Sequence, residues 1–283
     1  MAGLAPGAGQ PAPAGLSEGI GFDHVGFTYP GQDTPVLHDV CLKLRAGTTV
    51  AVVGENGAGK STLIKLLTGM YYPTSGRITV DGRDLADISP QQWRAATTGA
   101  FQDFVRFAMP LGDTVGVGDL PRIDDREAVL GAIQRAGAED LVAASGEEQA
   151  GGGLSLDTLL GPYVGGRALS GGQWQRLALA RGLMRDRPLL IVLDEPTASL
   201  DAPSEAALFA SYREAAKQAA GPGDGPGTIT VLVSHRFGTV HMADQIIVMD
   251  GGRVAESGDH QTLIDQGGIY AELFDLQAAG YRP

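Results

Sequence analysis

Hydrophobic positions fall in two alternating rhythms along the chain. Thr48-Thr-Val-Ala-Val-Val53 is short, β-branched and apolar on both faces, which predicts a buried parallel strand. It stops at Gly54, and Leu63, Ile64, Leu66 and Leu67 then recur at helical spacing. Leu189–Leu193, Thr228–Val233 and Gln245–Met249 repeat the strand signature. Helices are predicted from about Gly172 to Met184, Pro203 to Ala219 and Gly268 to Ala278. Asp81-Gly82 and Asp250-Gly251 are hairpin-turn signals. Such strand–helix alternation predicts an α/β domain. From about Asp103 to Leu169 the buried-strand signature disappears; Arg126–Ala136 has a helical pattern and Ser145–Gly153 is a Gly-rich loop, so a helical insertion is expected there. The Gly221–Gly227 stretch predicts a surface connection.

The first eighteen residues, rich in Ala, Gly and Pro, lack the basic start of a signal peptide and predict a flexible linker or tail. The expected organisation is a linker over 1–18 and one domain over 19–283, with its core at about 19–102 and 172–278 and a helical subdomain at about 103–171. No apolar stretch approaches the roughly 18 residues of a membrane span.

Composition narrows the function classes. With 33 acidic and 21 basic residues among 283, the formal net charge is −12, which argues against a surface built to track nucleic-acid phosphates. Cys41 is the only cysteine, so an internal disulfide is impossible, and the linear spacings of a structural zinc site are absent.

The chemistry concentrates in Gly54-Glu55-Asn56-Gly57-Ala58-Gly59-Lys60-Ser61-Thr62, which fits G-x-x-x-x-G-K-[ST] between a predicted strand and a predicted helix. There the backbone can curl so that successive N–H groups and the helix dipole face phosphate oxygens. Lys60 adds a point charge and Ser61 can ligate Mg²⁺. The apolar run Leu189–Leu193 delivers the Asp194 carboxylate to the same metal shell, and Glu195 follows, where it can polarise water. Alone, such an acidic pair is more often a helix cap. Leu169-Ser170-Gly171-Gly172-Gln173 precedes a predicted helix; by itself Ser-Gly-Gly reads as a Ser-capped helix start.

Together these motifs resemble the ATP-binding cassette (ABC) nucleotide-binding domains, whose signature is LSGGQ. The resemblance covers about Gly21 to Gln277. It implies a phosphate-loop NTPase core of the ABC type, with a β-rich nucleotide-binding portion and an inserted helical subdomain. Implied ligands are ATP and Mg²⁺, the ion held by Ser61, Gln102 and Asp194. Tyr29 in Phe-Thr-Tyr-Pro resembles the adenine-stacking A-loop, Gln102 the Q-loop, Ala198–Asp201 the D-loop and His235 in Val-Ser-His-Arg the H-loop. Glu195, His235 and Lys60 would carry catalysis, while Ser170–Gln173 of one subunit would face the γ-phosphate bound by another. Asp201 would help form that dimer contact.

Phe27–Gly31, Gly172–Arg181, Val231–Val240 and Asp250–His260 look most like bacterial exporter-type cassettes. The expected partners are a transmembrane domain, fused or separate, and a second cassette, at the cytoplasmic face of a membrane. Phe104 and Phe107, just after Gln102, are the expected docking surface, or else pack within the insertion. Importer ATPases are the alternative within transport. Soluble cassettes acting on nucleic acid or the ribosome would bring coiled coils, zinc modules or a second cassette, none of which is present, and a regulatory cassette would lack Glu195 or His235. Where exporters often carry an acid before the signature, this chain has Gly165-Gly166.

Overall fold

The computed structural model describes residues 9–101, 103–142, 153–162, 165–195, 227–234 and 236–280. In chain order the elements are β1 (Gly19–Phe27), β2 (Leu37–Arg45), β3 (Thr49–Val53), α1 (Lys60–Leu67), β4 (Ser75–Val80), β5 (Arg83–Asp84), α2 (Pro90–Ala96) and β6 (Thr97–Ala100). Next come α3 (Leu111–Gly116), α4 (Arg126–Arg135), α5 (Gly171–Gly182), β7 (Leu190–Asp194), β8 (Ile229–Val233) and α6 (Phe237–Val240). The chain closes with β9 (Gln245–Asp250), β10 (Arg253–Gly258), α7 (His260–Gln266) and α8 (Ile269–Gly280). Among the described residues no helix is long and apolar enough to cross a membrane.

Two compact units emerge. The first comprises the described residues of Met1–Thr97, Pro188–Val192 and Tyr212–Pro283. It holds an antiparallel sheet of order β2-β1-β4-β5 and a second sheet in which β10, β9, β3, β8 and β7 follow one another. β3 runs parallel to both β8 and β9, and β10 returns antiparallel to β9. All five residues of β3 and all five of β8 are buried, as parallel strands covered on both faces require. Asp81-Gly82 forms the two-residue turn that its sequence predicts, with φ of 47° and 78° and Val80 paired to Arg83. The second hairpin differs by one residue: Asp250 stays in β9, paired to Arg253, and Gly251-Gly252 supplies the positive φ.

Residues 10–18 depart from the expected linker. Gln10 bridges to Ile88, its N–H donating to the Asp87 carbonyl at 2.7 Å while its own carbonyl accepts from Ser89 N–H at 2.9 Å. Leu16 is buried. The Asp81 carboxylate accepts from the N–H groups of Ser17, Glu18 and Gly19 at 2.8–2.9 Å and from Ser17 Oγ at 3.1 Å. Local composition carries no trace of these bonds, because the groups that make them lie some sixty to eighty residues away.

The second unit comprises the described residues of Thr98–Arg187 and Leu193–Ser211. Here α3, α4 and α5 pack on one another around buried Leu111, Val115, Val129, Ile133, Trp174 and Leu177. Arg122 ties the turns together by donating to Asp119 at 2.7 Å, to Asp186 and to the Met184 carbonyl. The unit is wider than the expected 103–171: α5, expected in the core, groups with the helices because its apolar face is spent on α3 and α4.

Candidate functional site

The Gly54–Ser61 loop joins β3 to α1, and its shape follows from its glycines. Gly54 has φ 143°, and a Cβ there would come within 2.1 Å of the Met249 carbonyl oxygen on β9. Gly59 takes φ 101° as the residue before α1, with no side-chain cap over the helix N-terminus. No side chain competes for that helix end, as an anion-binding terminus requires. Lys60 is 7% exposed, and Nζ donates to the carbonyls of Gly54 and Glu55, both at 2.8 Å. Its charge thus sits inside the concavity, held by the loop's own backbone. Ser61, Glu55, Asn56 and Gly57 are exposed, whereas Ala58 and Thr62 are buried.

Tyr29, in the segment after β1, belongs to the same unit. Its hydroxyl lies 3.0 Å from Thr62 Oγ1 and accepts from Lys65 Nζ at 3.4 Å. Phe27 and Tyr71 meet its ring edge-on, at centroid distances of 4.9 and 5.4 Å. A half-buried ring fixed this way beside the helix that follows the phosphate loop can offer a flat face to a base.

Sequence reasoning missed one wall. A pocket of about 450 Å³ is lined by Gly54, Glu55 and Asn56, by Ser234 and Phe237, and by Leu273 and Gln277 of α8. Gln277 Oε1 accepts from Phe237 N–H at 3.3 Å, so the C-terminal helix reaches the loop region. α8 is itself anchored by the Glu256 carboxylate, which accepts from Ile269 N–H at 2.6 Å and Tyr270 N–H at 3.1 Å. Buried Tyr270, whose hydroxyl lies 2.8 Å from His260 Nδ1, has its pKa pushed up to about 12 by burial. The apolar period of α8 was legible in the sequence; its target was not.

The remaining expected residues fall in the second unit or outside the described residues. Asp194 ends β7 and Glu195 follows it, both half-buried. Glu195 has φ 49°, uncommon for a residue with a side chain, and its carbonyl accepts from Gln175 Nε2 at 3.3 Å. Ser170 and Gln173 form a capping box at the start of α5: Ser170 Oγ accepts from Gln173 N–H at 3.2 Å, and Gln173 Oε1 accepts from Ser170 N–H at 2.8 Å. Ser170 and Gly171 are exposed. Gln102, Asp201 and His235 lie outside the described residues, as does the helix predicted from Pro203 to Ala219.

The expected docking segment divides in character. Val105 is 59% exposed, whereas Phe104 and Phe107 are half-buried. The Arg181 guanidinium stacks 4.6 Å from the Phe107 ring and donates to the carbonyls of Thr114 and Val105. Burial lowers the Arg181 pKa below its ordinary value. Phe107 is thus part of the packing around α5, and Phe104 lies against Arg106 at 5.9 Å.

Comparison with known proteins converges with this geometry. The chain is 38% identical over 260 residues to the ATP-dependent lipid A-core flippase of Chromobacterium violaceum, covering 91% of this chain and 41% of the flippase. The flippase of the same name from Thiobacillus denitrificans is 36% identical over 269 residues, covering 95% and 43%. Among solved structures, one described as a bacterial Atm1-family ABC exporter with ATP bound superposes with a TM-score of 0.80 at 33% identity, over 97% of this chain and 45% of that one. The chain thus spans about two fifths of the length of the curated relatives it matches. The family model described as ABC transporter matches residues 37–198, more than half of the chain and including the phosphate loop and the signature. By fold, by motif order and by that match, the chain belongs to the ABC transporter family.

Proposed function

We propose that this chain is the ATP-hydrolysing, nucleotide-binding part of an exporter-type ABC transporter. The observation that carries the reading is the phosphate loop: a buried strand, an uncapped helix start, and Lys60 already held inside the curl. Backbone N–H groups of Gly57–Ser61 take the β- and γ-phosphates of ATP, Lys60 exchanges its carbonyl partners for phosphate oxygens, and Tyr29 stacks on adenine. Ser61, Gln102 and Asp194 would hold Mg²⁺, which would supply neutralisation of charge on the phosphates. Glu195 takes the proton of the attacking water, and His235 orients that water against the γ-phosphate.

Ser170–Gln173 and Asp201 serve a second cassette bound head to tail. The partner in transport is a membrane-spanning part, on the same chain or another, which holds the cassette at the cytoplasmic face of a membrane. With Phe104 and Phe107 both half-buried, Val105 is the exposed apolar residue of the docking segment. Export is favoured over import by the relatives, whose names are those of flippases and an exporter.

The test separates binding from turnover. Glu195→Gln keeps the shape of the side chain and loses its basicity, so ATP binding persists while hydrolysis falls by about 10²–10⁴-fold. Lys60→Ala weakens nucleotide binding itself. A Glu195→Gln protein turning over within about threefold of wild type would remove Glu195 from the proposed role.

A further inference from the structure

Away from the nucleotide loop, one surface cluster gathers the donor types of a metal centre. His24 on β1 and Asp39 and Cys41 on β2 are all exposed, and their ligand atoms lie within 4.8 Å of one another. Val25 pairs with Val40 and both are buried, so His24 beside Val25 and Asp39 and Cys41 on either side of Val40 share the outer face. The β1–β2 register shifts between Phe22 and Val25 and again between Val25 and Phe27. Asp23 and His24 are both exposed between buried Phe22 and Val25, and the buried Leu37 and Val40 likewise have two residues between them. His24 and Asp39 sit at φ 50° and 53°, a conformation that His, Asp and Asn accept more readily than other residues with side chains. His24 Nδ1 lies 2.6 Å from Asp39 Oδ1, beside the Cys41 thiol.

We propose that His24, Asp39 and Cys41 form a three-donor site for a borderline transition-metal dication of the Zn²⁺ class. Nitrogen, oxygen and sulfur together suit such an ion, whereas Mg²⁺ and Ca²⁺ seek oxygen alone. Zinc bonds of about 2.0–2.3 Å set tetrahedral ligand atoms roughly 3.3–3.8 Å apart, so His24 Nδ1 and Asp39 Oδ1 open from 2.6 Å on binding, and the widest separation, within 4.8 Å, closes by about an ångström. The ion replaces the hydrogen bond between His24 and Asp39, takes Cys41 as thiolate with its proton released to solvent, and keeps an outer position for water. It cross-links β1 to β2 at the base of the loop that carries Tyr29.

The experiment uses the whole chain, free of any affinity tag and stripped with chelator, in excess Mg²⁺. Because Cys41 is the only cysteine, a near-ultraviolet thiolate-to-cobalt band on adding Co²⁺ can arise at this site alone. The band is expected to saturate at one equivalent, to be bleached by Zn²⁺ and to vanish in Cys41→Ser. His24→Asn and Asp39→Asn, which suit the left-handed backbone, should each lower Zn²⁺ affinity by about tenfold or more. Zinc should raise the melting temperature of the wild type and not of Cys41→Ser. Absence of the band in the wild type overturns the site, and so does Zn²⁺ affinity within about twofold of wild type in either asparagine variant.

Discussion

Lys60 illustrates what one buried charge imposes on its surroundings. An ammonium that is 7% exposed must be hydrogen-bonded, and the carbonyls of Gly54 and Glu55 meet that need before any ligand arrives. Phosphate binding is then an exchange of partners and not the filling of a vacancy, so the curl of the loop is organised in advance. Tyr29 is organised in a different way, by aromatic edges and by Thr62. Its ring and its hydroxyl can be tested apart. Tyr29→Phe keeps the ring and should leave ATP affinity within about threefold, whereas Tyr29→Ala should lower it by about tenfold or more, the worth of one base stacked on an aromatic. Equal loss in both variants, read by nucleotide titration, would assign the effect to the hydroxyl and remove the stacking role. The phosphate loop was legible at this scale because glycines, Lys60 and Ser61 are adjacent in sequence. The His24–Asp39–Cys41 cluster was not, because a cross-strand pairing assembles it, and linear spacing is blind to pairing.

Among the elements, those marked by their own apolar runs and caps were the readable ones. The strands expected at 189–193, 228–233 and 245–249 occur at 190–194, 229–233 and 245–250, since each is an apolar run closed by a polar or glycine boundary. The helix expected from Gly172 begins at Gly171, where the Ser170 cap starts it. Residues 10–18 were unreadable for the opposite reason: their partners are Asp81 and the 87–89 backbone. That segment carries a pH signature. Burial pushes the Asp81 carboxyl up, but the amides of Gly19, Ser17 and Glu18, with Ser17 Oγ, outweigh it and hold the pKa below 3.8. A lowered pKa in the folded state means that the carboxylate's contribution is present above pH 3.8 and fades as pH falls through the lower folded value. Asp81→Asn should therefore cost about 1–2 kcal/mol in urea unfolding at neutral pH, and less once pH is well below 3.8. A cost that is the same at both pH values would mean that the charge plays no part.

At the level of the molecule, the signature is the feature that one chain leaves unused. Ser170 Oγ is committed to capping α5, yet Ser170 and Gly171 remain exposed at the start of a twelve-residue helix. We propose that this end meets the γ-phosphate of a second cassette, because charge spread over a transferring phosphoryl group is stabilised by more donors than one loop offers. ATP contacting both chains only in the pair must then favour the pair. Sedimentation of Glu195→Gln at high protein concentration should show the mass shift toward a dimer with Mg-ATP and not without it; an unchanged mass would count against the head-to-tail arrangement. The left-handed backbone of Glu195 has a different consequence, one for stability rather than for turnover. Holding a side chain at φ 49° costs about 1–2 kcal/mol, which glycine would not incur. Of the substitutions that erase the proposed base, the one to glycine sheds that strain while Glu195→Gln keeps it, so silencing by Glu195→Gln leaves the backbone as tense as before.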